Sequence, residues 1–114
     1  MRDIRFRSWN KVNKTMYDNS IYNCKDSFDM QLKHPQIYEV MQYVGCKDKN
    51  NKEIYEGDIV KTKEHIGQII YSKGMFFIDV KGDFYLPIYN VSEFMEVIGN
   101  IYENPELLER NEVK

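Results

Sequence analysis

"NKEIYEGDIVKT", residues 51–62, is the stretch on which the fold turns. An apolar pair, Ile54 and Tyr55, leads into Glu56-Gly57-Asp58, and Ile59 and Val60 then open a β-branched run. Gly57 lets the backbone turn sharply, with positive φ where the turn needs it. Asp58 can hydrogen-bond to its own local backbone there. Turn chemistry directly ahead of β-branched residues marks the start of a strand.

Working toward the C-terminus, the pattern stays regular. Ile59 to Lys61 starts one strand and Ile66 to Tyr71 forms a second, with Gly67 inside it. Ser72-Lys73-Gly74 reads as a three-residue connection with Gly74 at a left-handed bulge position. Met75 to Val80 is a third strand, Lys81-Gly82-Asp83 a tight turn, and Phe84 to Ile88 a fourth strand. Pro87 cannot donate to a ladder, so that strand belongs at an edge or a bulge. Glu96 to Tyr102 is the fifth. Asn104 is placed as an N-cap, with Pro105 at the first helical position and Leu107 and Leu108 anchoring a short terminal helix. Five short strands joined mostly by tight turns predict a small SH3-like antiparallel barrel over residues 54–114.

Working toward the N-terminus, residues 3–9 (DIRFRSW) alternate, with Ile4 and Phe6 on one face and Arg5, Arg7 and Trp9 on the other. Asn10 to Asn13 is a turn cluster and Thr15 to Tyr17 a returning strand, which makes a β-hairpin. Residues 18–35 read as an irregular loop with one helical turn near Phe28 to Leu32. Ile37 to Val44 is a strand apolar on both faces. Gly45 to Lys52 is polar and turn-forming, and places the boundary between an N-terminal extension, 1–53, and the barrel.

The bulk numbers agree with a mainly β protein of one domain, or of a domain with a small annex. The chain has 114 residues, 42% hydrophobic and 30% charged, with nine tyrosines. It has no alanine, the best helix former. Net charge is −2; residues 1–53 carry ten Lys/Arg against seven Asp/Glu, and residues 54–114 carry six against eleven. Such a balance opposes non-specific nucleic-acid binding, which rests on many phosphate contacts. Cys24 and Cys46 are too few and too isolated for a disulfide framework. The N-terminus lacks a signal-peptide apolar core, and no segment nears the length that crosses a bilayer, so no membrane role and a reducing cytoplasm are expected.

Three stretches, "IRFRSWNKVNKTMY" (4–17), "VMQYVGCKDKNNKEIYEGDIV" (40–60) and "VIGNIYENPELL" (97–108), give the chain a resemblance to a known family. In this order and spacing it resembles the YopX family of small proteins from temperate phages and prophages of Gram-positive bacteria. The family usually has aspartate where Asn10 stands, glycine at Asn51 and leucine at Cys46. The resemblance implies a mainly β protein with an SH3-like barrel, capable of homo-oligomerisation and made in the cytoplasm of a phage-infected host. It brings no established activity and no catalytic residues.

The residues themselves point away from enzymology. Cys24, His34, Cys46 and His65 lack the short spacings of a structural zinc site. No thiol or serine is flanked by a recognisable base, and Glu53, Glu56 and Asp58 read as a solvated turn with a local cap. No cofactor and no metal are therefore expected. A nucleic-acid face could be built from Arg5, Arg7 and Trp9 with Lys11 and Lys14 close by, cations for phosphates and an indole for a base. The competing reading is a charged edge strand with Trp9 packed inward. The expectation is a non-enzymatic module that binds a host or phage protein or itself, with nucleic acid as the alternative and an unrecognised hydrolase third.

Overall fold

The computed structural model describes residues 4–18, 28–80, 84–88 and 92–110. It is mainly β and antiparallel. The chain forms two compact units, Met1–Tyr43 and Val44–Lys114.

The first unit opens with β1 (Phe6–Asn10) and β2 (Thr15–Asp18), the predicted hairpin, followed by α1 (Phe28–Lys33) and the start of β3 (Tyr38–Lys47). Strand β1 is central: Trp9 lies opposite Met16 on β2 and Glu39 on β3. Its turn is held by Asn10, whose Oδ1 accepts the Val12 and Asn13 N–H groups at 2.9 and 3.1 Å. An aspartate, expected at this position from the resemblance, would offer the same acceptor, so the turn is held with asparagine in its place. Both faces of β1 carry buried residues, Trp9 on one and Ser8 and Asn10 on the other.

Strand β3 runs to Lys47, through the Gly45-Cys46 pair that reads in sequence as turn. The reason is packing: Val44 and Cys46 lie against the core of the second unit, which therefore begins ahead of the 53/54 boundary. The turn proper spans Asp48 to Lys52, with Asn51 at φ 67°, a left-handed geometry that asparagine tolerates. It returns into β4 (Glu53–Tyr55), where Ile54 is fully buried. The sheet order is β2-β1-β3-β4.

A second sheet, of five strands, comprises β5 (Asp58–Lys61), β6 (Ile66–Ser72), β7 (Met75–Val80), β8 (Phe84–Pro87) and β9 (Glu96–Asn100), in the order β8-β7-β6-β5-β9. Four strands meander, and the last returns to pair with the first, an order compatible with the expected SH3-like barrel. Pro87 sits on β8, an edge strand. A bulge between Ile59 and Val60 shifts the β5–β9 register, and both residues are fully buried. Ile54, Val60, Ile69, Ile78, Met95 and Val97 are among the residues that form the core cluster. Gly67 lies so close to β7 that an added Cβ would stand 2.6 Å from Ile78 Cγ2.

The β6–β7 turn differs from its sequence reading. Ser72 pairs directly with Met75, leaving a two-residue loop in which Lys73 and Gly74 have φ of 52° and 80°. Two positive-φ residues give the tight turn that matches strand twist, so no bulge is required. After β9 comes α2 (Glu106–Arg110), which packs on β6.

Candidate binding site

The five residues that sequence groups into a nucleic-acid face are not presented together. Trp9 is only 8% exposed, so its indole is not offered to a base. Arg5 stacks over the ring of buried Tyr43 at 4.4 Å from the centroid, a cation–π contact. Arg7 stands opposite Asp18 on one side and buried Met41 on the other, with Nε enclosed. Lys11 pairs with Glu39 at 2.8 Å and donates to the Pro35 carbonyl at 3.0 Å. Lys14 is exposed in the hairpin turn, at φ 57°.

The turn residues are architectural. Gly57 has φ 85°, donates to Ile69 O at 2.9 Å and accepts from Ile101 N at 2.9 Å. Asp58, 1% exposed, accepts the Tyr55 N–H at 2.8 Å. It is thus a buried cap, not a solvated carboxylate. Asn104 does not cap α2 with its side chain. Its Oδ1 turns back to accept the Asn100 N–H at 3.2 Å, over a Gly99 whose missing side chain leaves the room; its backbone carbonyl accepts from Leu107 N at 3.1 Å. Pro105 follows, where no N–H is needed. Gly82 and Cys24 lie outside the described residues.

One heavily used polar group is a residue that sequence reasoning passed over. Asp48, 7% exposed, accepts Asn50 N at 2.8 Å and Lys52 N at 2.9 Å through Oδ1, and Val97 N at 2.9 Å through Oδ2. Burial pushes its carboxyl up, but the N–H groups of Val97, Lys52 and Asn50, with the Lys52 charge, overcome this and hold it below the usual 3.8. Lys49 N donates to Met95 O at 3.0 Å beside it. The β3–β4 turn is thereby clamped to the start of β9. A polar turn rich in lysine and asparagine gives little sign of this in sequence, because the third donor lies 49 residues away.

That clamp borders a cleft. A space of about 380 Å³ is lined by Lys49, Lys61, Thr62, Lys63, Glu93, Phe94 and Glu96. A second hollow of about 220 Å³ shares Thr62, Lys63 and Phe94 and adds Glu64, His65 and Leu86. Phe94 is 67% exposed at the end of a 3-10 turn (Ser92–Phe94), while its neighbour Met95 is fully buried and anchors the turn. The opposite wall is closed on itself: Thr62 N donates to His65 O at 2.8 Å and His65 N to Thr62 Oγ1 at 3.0 Å. Leu86 packs on the core cluster and also lines the second hollow. Lys49 lies 3.8 Å from Glu96. The arrangement offers an apolar patch and ammonium groups on a fixed frame. Among the described residues no cluster of three His, Cys, Asp or Glu side chains could hold a metal.

These features define a mainly β protein built from a four-stranded and a five-stranded antiparallel sheet, with an open cleft on the second unit. The YopX protein family matches residues 5–109, and the chain belongs to that family. The chain is also similar to protein EF1440 from Enterococcus faecalis, known from a crystal structure. The identity is 28%, the coverage is 95% of this chain and 99% of that one, and the TM-score is 0.68. Among curated proteins nothing matches. No helix among the described residues is long and apolar enough to cross a membrane.

Proposed function

We propose that the chain is a non-enzymatic binding module, a phage accessory protein of the host cytoplasm, whose contact surface for a protein partner is the Phe94 cleft. The observation that carries this is an aromatic ring held out at 67% exposure on a turn anchored by a fully buried neighbour. A phenyl ring held this far into water fits the anchor of an interface, where aromatics are enriched. Cys46 supports the non-enzymatic reading, since it packs against the core cluster. Cys46→Ser should leave the biological activity of a folded protein intact.

The test is affinity capture from phage-infected cells with the wild type and Phe94→Ala, each with and without nuclease. The expected result is a protein retained by the wild type, lost with Phe94→Ala and indifferent to nuclease. Capture abolished by nuclease would favour the nucleic-acid alternative. Equal capture by both proteins would remove the cleft from the account.

A further inference from the structure

The cleft carries more chemistry than exposure alone. We infer that it takes an extended acidic segment of a partner protein: one apolar side chain in the hollow between Leu86, His65 and Phe94, and a carboxylate about two residues along, at Lys61 and Lys63. This deepens the reading of the cleft as a protein contact and rests on it.

Charge complementarity selects the occupant. Three lysines and two glutamates line the larger space; Lys49 is engaged with Glu96, which leaves Lys61 and Lys63 against Glu93. Lys61 and Lys63 are exposed, and among the described residues neither forms an ion pair. They stand two positions apart at the end of β5 and the start of its loop. An apolar wall lies next to them, because Lys63 and Thr62 border both hollows. An extended chain places alternate side chains on one side, so residues i and i+2 of a ligand reach adjoining hollows. The cleft is open and shallow, which suits a chain better than an enclosed small molecule. Glu64 and Glu93 rim the two hollows, so the favourable charge is confined to the Lys61–Lys63 corner, which suits a single carboxylate on a peptide and not a run of phosphates. The frame needs no ordering on binding, since the Thr62–His65 loop closes on itself and Asp48 fixes β9.

Selection of random heptapeptides on the immobilised full chain tests this directly. The expected consensus is an apolar residue followed at the second or third position by Asp or Glu. Synthetic consensus peptide should bind Lys61→Glu/Lys63→Glu about tenfold more weakly. Selection on that double variant should turn the consensus basic. Peptides that bind Phe94→Ala as tightly as wild type would overturn the cleft itself. Peptides that need Phe94 but carry no carboxylate would overturn the acidic occupant and leave the cleft standing. No enrichment, or binding of a short oligothymidylate at low salt in place of peptide, would overturn both.

Discussion

The two units hold themselves together differently. The second has a continuous apolar core, with Ile54, Val60, Ile69, Ile78 and Met95 all fully buried. In the first, the buried positions mix Trp9, Tyr38, Met41 and Tyr43 with Ser8, Asn10 and Gln31. There Ser8 Oγ donates to Gln31 Oε1 at 2.8 Å, joining β1 to α1 through a fully buried pair. One unit is stabilised mainly by removing hydrocarbon from water. The other depends on polar groups finding each other, which adds little net energy when satisfied and costs much when broken. The contrast predicts opposite sensitivities.

The largest effect is expected in the apolar core. Ile78→Ala should cost about 3–4 kcal/mol, the range for a buried aliphatic truncation that leaves a cavity. Urea denaturation measures it, and a loss below about 1 kcal/mol would deny that this cluster is close-packed. Gly67→Ala comes next, at about 2 kcal/mol, because its Cβ meets the β7 backbone, Asp79 O at 2.7 Å, which cannot swing aside. Both substitutions probe the second unit through volume.

The first unit should respond to polarity instead. Gln31→Met keeps length but removes the acceptor for the Ser8 hydroxyl, and should cost about 1–3 kcal/mol. Adding Ser8→Ala should recover part of that loss, since the stranded donor disappears. A double variant less stable than the single would show that the pair is not a coupled unit. The smallest effect is at Asn104→Ala, about 1 kcal/mol. With the structure in hand, this is the loss of the Asn100 N–H acceptor and of packing over Gly99. Amide exchange should therefore rise at Asn100 and not at the first turn of α2; the reverse pattern would restore the capping role.

What the sequence discloses follows the range of the forces involved. The strands of the second unit are legible because alternation and turn chemistry are local: Gly57-Asp58 does sit at the start of β5, and Met75 to Val80 is β7. Strand β4 and the extension of β3 through Cys46 escape notice, since a short or glycine-broken segment becomes strand only by packing on a core assembled elsewhere. Alternation correctly puts Arg5, Arg7 and Trp9 on one face, but not whether that face is exposed. Asp48 and Phe94 are invisible for the same reason: one owes its role to a distant amide and the other to a buried neighbour, Met95. The stretches that mark the family contain Asn10, Asp48, Asp58, Asn100 and Asn104. In the structure these are turn-holding residues, four of them buried, so the family signature here is largely a record of scaffold.

Asp48 tests that view most directly, as the carboxylate that ties the β3–β4 turn to β9 and so frames the cleft. Its native carboxyl is held below 3.8, so the stabilisation is present above that value and is lost as pH falls through the native titration. Asp48→Asn cannot accept at both side-chain atoms and should be less stable than wild type at neutral pH. Urea denaturation of the two proteins, from neutral pH to well below 3.8, should show that gap close as the wild-type carboxylate is protonated. A gap that persists undiminished in acid, or no gap at neutral pH, would contradict the claim that a charged Asp48 clamps this fold.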